Sequence, residues 1–145
     1  MQVIKFLPEH LKKLHLRDYE KGYTDLLARK VRTIEGPAFT LVHANGQGVE
    51  YIYSAGIEII WNGVGHAWVI MSDLIKRYPL TITKTTKKYL EKLMKEYNLH
   101  RVQADVIEGF IEAEAWLGTL GFEYEGPMMK YGFNGENYFR YARLN

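Results

Sequence analysis

The sequence contains no cysteine, which excludes disulfides, thiolate metal ligands and a cysteine nucleophile. Net charge is nearly absent: Lys+Arg 19 against Asp+Glu 17 leave +2, too even a balance for a dedicated nucleic-acid binder. No apolar run approaches the roughly 20 residues that cross a bilayer. Residues 1–8 lack the basic stretch, apolar run and small-residue cleavage site of a secretory signal. The expectation is a soluble, cytoplasmic chain with no membrane attachment. His10, His15, His43, His66 and His100 show no paired metal-protease spacing, no calcium loop is visible, and no metal is expected. Neither a nucleophile elbow nor a nucleotide-hydrolase phosphate loop is found. What is present is a globular composition, 47% hydrophobic and 25% charged, in a length that suits one domain spanning 1–145. The 11 tyrosines fall largely where strands are expected, as good strand formers do.

Three Asn-Gly pairs, at Asn45, Asn62 and Asn134, read as hairpin turns because both residues tolerate the positive φ of a type I′ turn. The first joins 38–42 to 50–53, the second 57–61 to 64–71, and the third 128–131 to 138–144. Gly56 reads as a bulge in a long middle strand. Residues 84–98 read as a helix with Tyr89, Leu90, Leu93, Met94 and Tyr97 on one face and lysines opposite, Glu91 and Glu96 standing four places from Lys95 and Lys92. Residues 101–106 read as a strand, 110–119 as a helix stopped by Gly121, and 122–125 as a strand. Pro8 starts one of two helices that follow a first strand and carry Leu11, Leu14, Leu26, Leu27 and Val31. Antiparallel strands followed by helical crossovers predict an α+β, mixed-sheet domain.

That element order, with the segment Ala113-Glu114-Ala115-Trp116-Leu117-Gly118-Thr119-Leu120-Gly121-Phe122 followed by an acidic and aromatic strand, resembles the GNAT (Gcn5-related N-acetyltransferase) superfamily. Gly63 to Val69, and Glu125 to Gly132 with Tyr141-Ala142-Arg143, are similar to phage-encoded GNAT-like proteins, including internal virion proteins of short-tailed phages. The resemblance covers about residues 36–144. It implies a central, mostly antiparallel sheet flanked by helices, and acetyl-CoA as cofactor. Val69, Ile70 and Met71 on the fourth strand would lie along the pantetheine arm. The pyrophosphate would meet the start of the following helix at Thr83, Lys84, Thr85 and Thr86, where the family's two loop glycines are replaced by Lys84 and Thr86.

Acyl transfer asks for a base on the acceptor amine and an acid for the thiolate. By the resemblance, His66 at the start of the fourth strand, with an imidazole's suitable pKa, and Glu58 on the preceding strand are the base candidates. Leu117 stands where the family places a tyrosine acid, and Tyr124 or Tyr131 could substitute for it. Two functions remain open. One is an N-acetyltransferase acting on a small-molecule or protein amine. The other is a non-catalytic GNAT-like protein of the virion or of the host cytoplasm, partnered with virion or host components. Single-stranded nucleic-acid binding through Tyr138, Phe139, Arg140, Tyr141 and Arg143 is opposed by strand alternation, which splits them between two faces. Asp105, Glu108, Glu112 and Glu114 form an acidic group that would attract a basic substrate, although such a group more often stands on the solvent side of a helix and its cap.

Overall fold

A computed structural model describes residues 1–15, 30 and 33–145. Among the described residues the complete strands are β1 (Gln2–Lys5), β2 (Ala38–Asn45), β3 (Gly48–Trp61), β4 (Val64–Met71), β5 (Arg101–Ile107), β6 (Glu123–Met128) and β7 (Tyr138–Leu144), and the complete α-helices are α1 (Pro79–Glu96) and α2 (Ile111–Thr119). Single 3-10 segments occupy Pro8–Lys13 and Asp73–Arg77. The strands hydrogen-bond in the order β1-β2-β3-β4-β5-β7-β6. The β1–β2, β2–β3, β5–β7 and β6–β7 registers are antiparallel, and β4–β5 is parallel. This is the α+β mixed sheet expected from the sequence. No described helix is long and apolar enough to cross a membrane. The elements form two compact units, Met1–Ile59 with Trp68–Pro79, and Ile60–Ala67 with Leu80–Asn145.

In the first unit, Ile52 to Ile57 of β3 are buried without a break, so both strand faces are covered there. Leu11, Leu14 and Ile70 form a cluster against Phe6, Ile34, Tyr51 and Trp68. The bulge expected at Gly56 is displaced: the β2–β3 register shifts between Leu41 and Val42, leaving Ile52 as the extra residue. Glycine at 56 answers close packing instead, since a Cβ there would lie 2.8 Å from the Trp68 ring and 2.7 Å from the Pro37 carbonyl oxygen. Pro8 opens a 3-10 segment rather than the first of two helices; Leu26, Leu27 and Val31 lie outside the described residues.

A polar line crosses this core. The Leu7 N–H donates to His10 Nδ1 at 3.2 Å, so that nitrogen carries no proton. The Thr40 hydroxyl must then donate to it at 2.9 Å, and Ser54 to Thr40 at 2.9 Å. Burial holds the imidazole below its ordinary value, Lys13 acts in the same direction, and Glu9 opposes. The unfolded chain therefore takes up the proton first, and stability is full above about pH 6.5 and falls as pH drops below it. Urea unfolding midpoints should decline from pH 7.5 to pH 5 more in the wild type than in His10→Gln. Equal declines would remove His10 as the cause.

In the second unit, β5 alternates Val102, Ala104 and Val106, all buried, with Arg101, Gln103 and Asp105 on its other face. α1 buries Ile82, Leu90, Leu93 and Met94. It begins five residues before the expected Lys84, because proline suits the first helical position and Tyr78, at φ −134 and ψ 43, is held out of the helix as a residue before proline tends to be. The Lys92–Glu96 pair forms at 3.8 Å, whereas Glu91 turns to Arg143 at 3.3 Å. α2 ends as expected at Gly121, φ +89, with the Phe122 N–H bonded to the Leu117 carbonyl at 3.0 Å. The Arg143 guanidinium donates to the Leu120 carbonyl at 2.8 Å, and the Trp116 indole N–H to Thr83 Oγ1 at 3.1 Å, joining β7 to α2 and α2 to α1.

The Asn-Gly turns depart from type I′. At the first, β2 includes Asn45, whose side chain accepts from the Gln47 N–H at 2.8 Å, and the turn falls on Gly46 and Gln47. At the second, only Gly63 has positive φ, +86, as at the third position of a type II turn. The third lies inside a long connection, 129–137, because β6 ends at Met128.

Candidate active site

The parallel register of β4 with β5 runs from Val64↔Arg101 through Gly65↔Val102 to His66↔Gln103. β5 goes on to Ile107, paired along its length with β7, and β4 goes on to Met71. His66 thus sits where the β4–β5 pairing stops. Strand alternation turns Gln103 and Asp105 to one side of β5, and both reach His66. His66 Nδ1 is 3.4 Å from Gln103 Nε2, and His66 Nε2 is 3.5 Å from Asp105 Oδ2.

A supporting shell comes from β5, β6 and β7. Arg140, opposite Asp105 in the register, donates its Nε–H to Asp105 Oδ1 at 2.5 Å, and the Asp105 side chain is only 8% exposed. Arg101 donates through Nε to Gln103 Oε1 at 3.2 Å and makes a two-pronged pair with Glu125 at 2.8 and 2.5 Å. The hydrogen bond to Arg101 holds the Glu125 carboxyl below its usual range, and the same bond raises the Arg101 guanidinium.

The other residues predicted from the sequence fall in several places. Glu58 is half-buried on β3 in the first unit, and His66 belongs to the second. Ile70 and Met71 are buried, whereas Val69 is 38% exposed, so Ile70 serves the core as a side chain. Thr83, Lys84, Thr85 and Thr86 lie within α1 rather than in a loop before it. Their backbone N–H groups are past the first turn, where helix donors are already bonded. Leu117 is buried. The exposed Tyr124 packs edge-on against Phe139 and Tyr141, and Tyr131 against Tyr138.

The acidic group is dispersed: Asp105 faces Arg140, Glu108 accepts from Asn137, and Glu114 accepts from Tyr141. Tyr141 was not singled out by the sequence as an acid or a base. Burial, and then its 2.7 Å hydrogen bond to Glu114, push its phenol up to about 12, which makes it a poor proton donor near neutrality. Alternation places Arg140 against Asp105, while Tyr141 and Arg143 reach α2.

Neither a protein-family pattern nor a curated protein matches the chain. Solved structures do. A point mutant of the spermidine N-acetyltransferase from Vibrio cholerae superposes with TM-score 0.68 and 13% identity over 99% of this chain and 95% of its own. The ribosomal-protein-S5-alanine acetyltransferase from Vibrio fischeri gives 0.70 and 16% over 99% and 92%. An acetyltransferase of the GNAT family from Bacillus anthracis gives 0.72 and 14% over 98% and 93%. The chain has the fold of the GNAT acetyltransferases.

Proposed function

We propose that this chain is an N-acetyltransferase that moves the acetyl group of acetyl-CoA to an amine. The observation that carries this reading is the β4–β5 register closing at His66↔Gln103, on a fold shared with acetyltransferases. The pyrophosphate is met at the opening turn of α1, where helix donors are unpaired and the dipole favours an anion. Lys84, one turn on from Leu80 and exposed, adds an ammonium on that side, with the Thr83, Thr85 and Thr86 hydroxyls further along the helix. His66 takes a proton from the attacking amine as the new C–N bond forms and the C–S bond breaks, and that proton is then available to the departing thiolate.

Calorimetric titration with acetyl-CoA and with CoA tests the reading. The expected Kd lies between about 1 μM and 1 mM, the range of ordinary enzyme substrates, and Lys84→Glu should weaken it about five-fold, the scale of one exposed charge contact. Absence of heat at millimolar cofactor would sink it. That result would leave the second reading, a non-catalytic phage protein of the particle or of the host cytoplasm, which is favoured by the buried Leu117.

A further inference from the structure

We infer that Asp105 and Gln103 are positioning residues that hold His66 as one tautomer, with the proton on Nε2 and the lone pair on Nδ1. This rests on His66 being the base of the proposed transferase. Two independent constraints meet on one ring.

On one side, the Asp105 carboxylate is fixed by Arg140 through Oδ1, which leaves Oδ2 at 3.5 Å from His66 Nε2. An ionised carboxylate only accepts, so the nitrogen that faces it carries hydrogen. On the other side, the Gln103 amide has an oxygen end and a nitrogen end, and Arg101 decides which faces where. The Arg101 Nε–H must donate, so it takes Gln103 Oε1 at 3.2 Å and turns the amide NH2 toward His66 Nδ1 at 3.4 Å. A donor pointing at Nδ1 asks for a lone pair. Glu125 fixes Arg101 in turn by the two-pronged pair, which a guanidinium makes with little residual freedom.

The two sides pull the ring's basicity in opposite directions. Asp105 favours the imidazolium formed when Nδ1 is protonated, whereas the Gln103 NH2 opposes hydrogen at Nδ1. The charged groups in this network are Asp105 and Arg101 from β5, Arg140 from β7 and Glu125 from β6.

Nitrogen NMR of the labelled histidine rings tests this without turnover. In the wild type, His66 should show hydrogen on Nε2 when neutral. Gln103→Glu, which replaces the donor by a carboxylate, should raise the midpoint of the His66 titration by about one unit; Asp105→Asn should lower it by a similar amount. The acidic limb of the kcat/KM pH profile should move with each midpoint, a displacement that a merely structural loss would not produce. Hydrogen on Nδ1 in the wild type, or a midpoint unmoved in both variants, would overturn the inference. The wild-type tautomer decides even if neither variant folds. Protein that shows the tautomer yet takes up no acetyl-CoA would instead remove the transferase reading and leave the ring geometry standing.

Discussion

His66→Gln is expected to bind acetyl-CoA as tightly as the wild type and to turn over about 10²–10⁴-fold more slowly, the usual contribution of a positioned base. Glutamine keeps a polar side chain of similar reach beside Gln103 and Asp105, so the loss falls on proton transfer rather than on folding. The deficit should persist across the pH range in which the acceptor amine is neutral, because a neutral amine still gives up a proton as the C–N bond forms. Initial rates against pH with one amine acceptor would show this. An activity within a few-fold of wild type across the profile would remove His66 as the base. The same series on Glu58→Gln decides whether that β3 carboxylate is the base in its place.

Phe122→Ala is expected to cost about 3–5 kcal/mol, as large-to-small changes at buried aromatic positions do. Phe122 is 5% exposed and Leu120, beside it, 2%. Its backbone N–H closes the end of α2 on the Leu117 carbonyl at 3.0 Å, so one residue both caps a helix and fills the core. At this chain length each kcal/mol lowers Tm by about 2–4 °C, and the fall should be plain by calorimetry or urea titration. Gly121→Ala gives the contrast: it strains φ +89 while its nearest neighbour, Arg143, stays at 3.5 Å, and should cost only about 1–2 kcal/mol. Equal losses in the two variants would show that the backbone turn, and not the ring, dominates this corner.

Much of the second unit could be read from local pattern alone. Residues 101–106 announce a strand by alternation, and Leu120-Gly121-Phe122 announces a helix end because glycine relieves the left-handed position there. The start of α1 is hard to place from local pattern because the threonines at 81, 83, 85 and 86 look like caps, whereas the residue that opens the helix is Pro79. The environment of His66 was not legible, because its partners are distant in sequence: Gln103, Asp105, Arg140, and Arg101 with Glu125 behind them. Asp105 stands near Glu108, Glu112 and Glu114 in sequence, and the register of β5 with β7 separates it from them. A signal was nevertheless present, since Arg101, Gln103 and Asp105 place three polar groups at alternate positions of a strand whose other positions are Val102, Ala104 and Val106. A polar row of that kind on a half-buried strand implies partners across the sheet.

The strand order β5-β7-β6 carries a consequence for biosynthesis. β7 lies between two strands that leave the ribosome before it, so each waits with an unpaired edge until residues 138–144 emerge. A chain stalled or cut short of that point exposes two open edges at once, with Val102, Ala104 and Val106 lacking the strand that completes their layer, and such edges recruit other chains. Quality control acting on this protein should therefore meet its most adhesive form among chains that already carry β5 and β6 but stop short of residue 138.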